Sequence, residues 1–295
     1  MNISDEKCNI ITRVTWASVV TNLVLAIIKF VFGILGRSHA VVADAVHSLS
    51  DLTTDFAILI GVRFWSKPPD EDHPHGHYKI ETMVTFFIGL VLGITATGIL
   101  YNSIVSIHSG TYEKPRIIAL VAAIISIITK EILFRWTIKK GRVLRCMPVI
   151  ANAHHQRSDA ISSIPVAAAV LFSVIFPDWS FVDHIGAIIV AFLIYQAAFK
   201  IMNPAINKLA DRGVSAEELK KIYEIAGSID GVKGIHDVRT RYIGSANVAT
   251  DLHIEVDAGI SVQAAHDIYQ QVKDKLLESN LSIVDIVIHI DPYHG

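Results

Sequence analysis

Cysteine and charge are both scarce. The chain of 295 residues holds two cysteines, Cys8 and Cys146. They are too few and too far apart for a disulfide framework, so nothing calls for an oxidising compartment. Charged residues make up only 18% of the chain and the net charge is −2. That excludes a broadly basic nucleic-acid binder, and no nucleic-acid partner is expected. Two catalytic signatures are missing as well. Without a G-x-x-x-x-G-K-[ST] phosphate loop the chain is not expected to consume ATP, and without His-Glu-x-x-His it lacks the usual signature of a metal-dependent hydrolase working inside a membrane. Residues 1–7 are polar and acidic and carry no cleavable signal pattern, so the first apolar stretch is expected to remain as an anchor.

What the chain has instead is apolar mass in long blocks. A hydrophobic fraction of 52% and a mean hydropathy of +0.45 point to an integral, multi-pass membrane protein whose first partner is the lipid bilayer. Spanning roughly 30 Å of hydrocarbon takes about 20 helical residues. Six segments meet that length: 11–35, 39–62, 80–106, 116–138, 147–175 and 182–204. Two charges, Lys130 and Glu131, fall before the expected end of the fourth and are read as lying near the headgroups. Lys29, in the first, is read as snorkelling to the outer interface. Lys7, Arg13, Arg63, Lys67, Lys79, Lys139, Lys140, Arg142, Arg145, Lys208 and Arg212 all belong to one side, whereas Arg37, Lys114 and Arg116 are the only basic residues of the opposite loops. By the positive-inside rule both termini are then cytoplasmic.

Inside this apolar sequence, Asp44-Ala-Val-His-Ser-Leu-Ser-Asp51 returns in outline as Asn152-Ala-His-His-Gln-Arg-Ser-Asp159. Each copy sets a His and an Asp four residues apart, His47 with Asp51 and His155 with Asp159, which puts each pair on one helix face. Ionisable groups at such depth are expensive and usually functional. Two imidazoles and two carboxylates make a tetrahedral set suited to zinc or a similar divalent metal. Span two enters from outside and span five from the cytoplasm, so His47 and His155 are each expected on the order of 12–15 Å deep, near the midplane. A midplane site built from two halves of inverted orientation is a transporter arrangement. Asp44 and Asn152, three residues before each His, are candidates for orienting the imidazoles. Asp55 continues the stripe by one turn as a relay candidate.

After Arg212 the composition becomes that of a soluble α+β domain. A helix over 215–229 opens at Ser215 with Glu217 and Glu218 in its first turn. Residues 235–243 and 247–257 read as strands, the second with Leu252, Ile254 and Val256 alternating against His253, Glu255 and Asp257. A helix over 261–279 and a strand over 283–290 complete an αββαβ order. The expected architecture is thus a membrane α-helical domain of six transmembrane helices, residues 1–212, followed by a cytosolic α+β open-faced sandwich of ferredoxin or metallochaperone-like type, residues 213–295.

With six spans, His-x-x-x-Asp in spans two and five and a C-terminal αββαβ domain, the chain resembles the cation diffusion facilitator family over nearly its whole length. The resemblance implies a homodimer that moves zinc or related divalent cations out of the cytoplasm in exchange for protons. It puts His47, Asp51, His155 and Asp159 on the family's transport-site positions. Some relatives carry Asp where this chain has His47, and an imidazole there favours zinc over harder ions such as manganese. In the loop Asp70-Glu-Asp-His-Pro-His-Gly-His77, Asp70, His73 and His77 match the family's Asp…His-x-x-Gly-His pattern for a second metal, with His75 an addition to it. In the C-terminal domain His236, His253, His266, His289 and Asp291 match a cytosolic zinc cluster with a structural or regulatory role at the dimer interface. His289 and Asp291 are two apart on a strand and so share a face. Ile290 between them stands where some relatives have a polar residue. Lys79 and Asp211 match a family salt bridge near the membrane.

The expected cycle follows from ligand chemistry. Metal binds neutral imidazole and ionised carboxylate, so binding competes with protons, and a His with an ordinary value of about 6.5 can change charge between the two sides. No organic cofactor is expected, and the expected membrane is a bacterial inner membrane. Iron(II), cadmium, cobalt or manganese are alternative cargoes. A metal sensor, an ion channel or an intramembrane hydrolase are readings from other classes, and stoichiometric exchange of protons for metal separates an exporter from them.

Overall fold

The computed structural model describes residues 3–50, 52, 69–144, 147–244 and 247–294. Six helices are described in the apolar region. They are α1 (Ile3–Leu35), α2 (helical over residues 39–50), α3 (Tyr78–Ser109), α4 (Ile117–Leu144), α5 (Met147–Ile175) and α6 (Phe181–Leu209), the last preceded by a 3-10 turn at Pro177–Trp179. All but α2 have, among the described residues, the length and hydropathy to cross a membrane. The expected second span, 39–62, lies mostly outside the described residues. Large apolar side chains such as Ile94, Phe192 and Phe199 stand exposed on these helices, which hydrocarbon satisfies and water would not.

Lipid gives helices no hydrophobic reason to associate, so close backbone approach through small residues matters. A Cβ on Gly36 would meet the Ala119 methyl at 2.6 Å, and one on Gly186 would meet that of Ala169 at 2.9 Å. These contacts seal α1 against α4 and α5 against α6. The start of α2 is capped twice. Ser38 Oγ accepts from Val41 N–H, while Asp183 of α6 accepts from the Ser38 hydroxyl at 2.6 Å and from His39 N–H at 2.6 Å. A carboxylate on the free N–H groups of a helix start is favourable on both hydrogen-bonding and dipole grounds.

The helices and the C-terminal residues fall into two packing units, and each is taken by itself. In the C-terminal part, α7 (Ala216–Gly227) opens with a capping box in which Ser215 and Glu218 exchange side-chain to backbone bonds. It is followed by β1 (Gly234–Ile243), β2 (Asn247–Asp257), α8 (Val262–Leu277) and β3 (Ile283–Tyr293). The sheet order is β1-β2-β3, with β1 antiparallel and β3 parallel to β2. The parallel pair requires a crossover, and α8 supplies it. Alternation along β2 sends Leu252, Ile254 and Val256 into a core closed by Ile222 and Ala226 of α7 and Val272 and Leu276 of α8. β3 runs three residues past the expected end at Ile290. It is an edge strand, where Pro292 can sit without breaking a ladder on its free side. Ile290 joins the apolar core, so its place between His289 and Asp291 is set by packing.

Leu252 is 1% exposed at the centre of that core. Leu252→Ala is expected to cost about 2–5 kcal/mol of local stability. Amide hydrogen exchange on the whole protein checks this, with faster exchange in β1–β3 and unchanged exchange in α4 and α5.

Candidate metal centres

Helices α2 and α5 bring His47, His155 and Asp159 to one cleft of about 340 Å³, which α6 closes with Leu193, Gln196 and Lys200. His155 Nδ1 stands 3.7 Å from Asp159 Oδ1, one turn along the same helix, with the imidazole 59% exposed and the carboxylate 10%. That distance is too long for a hydrogen bond. His47 Nδ1 is buried and has no hydrogen-bond partner. An orphaned imidazole nitrogen and a largely buried carboxylate lining one cleft suit a divalent cation, but among the described residues His47, His155 and Asp159 are not one of the groups whose ligand atoms lie within 4.8 Å of one another. Asp51 and Asp55 lie outside the described residues.

Two lysines revise the reading of the spans. Lys130 is not at the headgroups: it is 2% exposed, and its Nζ lies 3.4 Å from Asp159 Oδ2. Lys29 does not snorkel. It is fully buried and donates to Asp44 Oδ2 at 2.9 Å, to Ser48 Oγ at 2.5 Å and to the Asp44 carbonyl at 3.2 Å, which uses all three ammonium hydrogens. Asp44 therefore serves Lys29 and not an imidazole, since its oxygens also lie 3.0 Å from Ser163 Oγ. Ser163 Oγ is in addition 3.1 Å from the Asp159 carbonyl. The two ion pairs are thus joined across α1, α2, α5 and α4. Asn152 is half-buried on α5. Sequence reasoning missed Lys130 and Ser163. A cation in mid-span was the available signal for Lys130, and a lone serine gives none.

The loop before α3 forms a second group. His73 N–H donates to Asp70 Oδ1 at 2.7 Å, His73 Nδ1 lies 3.1 Å from the same oxygen, and His77 Nε2 lies 3.3 Å from Asp70 Oδ2. One ligand atom from each of the three residues falls within 4.8 Å of the others. Gly76 makes the turn between the rings at φ 78°, a conformation that favours glycine. Desolvation raises the Asp70 carboxyl, but the His73 hydrogen bonds and the neighbouring His77 outweigh it and hold it below the usual range. His75 is not in this group. Its Nδ1 stands 3.9 Å from Asp285. Lys79 Nζ and Asp211 Oδ1 lie 3.1 Å apart, both about half exposed, a pair worth at most about 1 kcal/mol.

The third group is written in strand register. His236 pairs with His253, and His253 with His289, so three imidazoles stand in one row across the sheet, on the face opposite the core. Neighbouring ring centroids are 5.1 and 4.7 Å apart. Asp291 joins the row: Oδ2 is 2.8 Å from His253 Nδ1 and 3.3 Å from His236 Nε2, and Oδ1 is 3.2 Å from His289 Nε2. The hydrogen bond with His253 chiefly, then the three neighbouring rings, hold the Asp291 carboxyl below its ordinary value despite desolvation. His236, His253 and Asp291 bring their ligand atoms within 4.8 Å of one another. His266 is not among them; it lies on α8 with its ring stacked on Tyr269 at 5.5 Å. Glu255, which sequence reasoning passed over as an outward strand residue, comes within 3.5 Å of His236 Nε2.

Comparison with known proteins bears on the whole chain. An uncharacterized transporter of Methanocaldococcus jannaschii is 36% identical, over 93% of this chain and 95% of its own length. The manganese efflux system protein MneP of Bacillus subtilis is 31% identical over 99% of each. The magnetosome protein MamB of Paramagnetospirillum magneticum is 31% identical over 95% and 94%. Residues 15–210 match the cation efflux transmembrane domain and residues 214–293 the cytoplasmic domain of cation efflux proteins. With apolar helices of spanning length in the transmembrane match and the cytoplasmic match behind them, the protein belongs to the cation diffusion facilitator family of metal-cation efflux transporters.

Proposed function

We propose that this chain is a zinc exporter, working as a homodimer by alternating access and exchanging each ion for protons. Residues 1–212 form the transport domain, with both termini in the cytoplasm of a bacterial cell, and residues 213–295 the cytosolic metal-binding and dimerisation domain. The observation that carries the reading is the cleft shared by His47, His155 and Asp159, with Asp51 four residues after His47 in the sequence. Two imidazoles with two carboxylates hold borderline divalent ions better than hard ones. The same four groups take protons when metal leaves, so release is favoured on the more acidic side. The loop group and the sheet group would hold further zinc ions with a collecting or a structural role. The manganese named for MneP is the competing cargo, and His47 is the residue that argues against it.

Zinc entry into proteoliposomes is expected to follow an imposed pH gradient and to disappear in Asp159→Ala and Asp51→Ala; transport untouched by both substitutions would refute the site. His47→Asp is expected to shift competition among divalent ions away from zinc and toward manganese, read as the ratio of initial rates.

The sheet group adds a pH dependence. The Asp291 carboxyl is lower in the folded protein than its ordinary 3.8, so the unfolded chain takes up the proton first. Its contribution to stability is complete above the ordinary value and lost as pH falls through the lowered one. In metal-free protein, amide exchange in β2 and β3 is expected to accelerate over that acid range, and Asp291→Asn is expected to remove the acceleration.

A further inference from the structure

We propose that Lys130 is a tethered counter-cation that competes with the transported metal for Asp159 and thereby sets how tightly the cleft holds its cargo. The inference rests on Asp159 being a transport ligand, as proposed above. Asp159 is used from both sides: Oδ1 faces His155 across 3.7 Å, and Oδ2 faces the Lys130 ammonium at 3.4 Å. Lys130 comes from α4, which supplies none of the repeated His and Asp residues. At 2% exposure its charge has no water to turn to. Nor can it turn to Asp44, whose oxygens are held by Lys29 and Ser163.

A divalent ion entering the cleft therefore meets a carboxylate whose charge is already balanced. Either the ion draws Asp159 away from the ammonium, leaving that charge uncompensated in a dry interior, or it shares the carboxylate with a second cation a few ångströms off. Both raise the free energy of the loaded state relative to the empty one. The protein gains a cleft that binds metal weakly enough to let it go. When the ion departs, the ammonium is already in place to balance Asp159. Lys130 is a positioning and affinity-setting residue and is not itself a ligand.

The test uses the full-length protein with His73→Ala and Asp291→Ala, which remove ligands of the loop and sheet groups. Equilibrium zinc binding in detergent at one fixed pH, and initial rates in proteoliposomes, are compared for Lys130, Lys130→Met, Lys130→Gln and Lys130→Arg. The two neutral variants are expected to bind zinc about tenfold tighter or more, with KM and Vmax both reduced because release slows. Lys130→Arg is expected to stay close to the parent. Unchanged or weaker binding in whichever neutral variant remains monodisperse would overturn the proposal, because a merely structural lysine predicts loss of folded protein or of affinity and never a gain. His155→Ala in the same background tells the two readings apart: if it leaves binding intact, the site assignment fails. If it abolishes binding while the neutral variants bind like the parent, the role of Lys130 alone fails.

Discussion

Hydrocarbon does not tolerate an unpaired charge, and this constraint organises the helical part of the molecule. Two buried ammonium groups, Lys29 and Lys130, each meet one carboxylate, Asp44 and Asp159, and Ser163 spans the distance between the pairs. Removing one member of such a pair leaves a buried charge that nothing else can balance. The ion pairs therefore hold α1 to α2 and α4 to α5, in helices that gain nothing from lipid by packing together. They also fix the axial position of α5 and with it the height of His155 and Asp159. A polar framework that keeps helices in register is thus the same framework that presents the carboxylate to the cleft.

Much of this arrangement could be read in the chain. The second His-x-x-x-Asp copy carries its own geometry, because inside a helix a spacing of four puts His155 and Asp159 on one face. The alternation of Leu252, Ile254 and Val256 against His253 and Glu255 is equally self-contained, as is the helix start at Ser215. The unread parts depend on partners distant in sequence. Lys130 looked like the frayed end of a span because its carboxylate lies on the next helix, and Lys29 looked like a snorkelling side chain for the same reason. Asp44 stands one turn from His47, yet its oxygens are taken by the buried Lys29 ammonium and the Ser163 hydroxyl. His266 shares a residue type with the sheet cluster, but α8 sits on the core side of the sheet while the row of imidazoles occupies the other face.

The sheet cluster and the cleft solve one chemical problem in opposite ways. In the cleft, one imidazole nitrogen is left unpaired and one carboxylate is balanced by an ammonium, so the site is kept from satisfying itself. On the sheet, Asp291 contacts three imidazoles at once and the cluster is largely self-satisfied without any ion. The first arrangement leaves a buried nitrogen without a partner, and the second leaves its carboxylate fully engaged.

The row of histidines has a consequence for how the domain assembles. β3 is an edge strand paired with β2 in parallel, and its buried face resists a one-residue slip, which would turn every side chain to the other face. A slip by two residues would keep Ile286, Ile288 and Ile290 facing the core, so burial alone would scarcely resist it. It would also carry His289 and Asp291 together out of their places, breaking the row of rings and displacing the carboxylate from its present contacts with His236 and His253. The polar face thus discriminates between alignments that the apolar face accepts, and the cluster acts as a register key for the last strand.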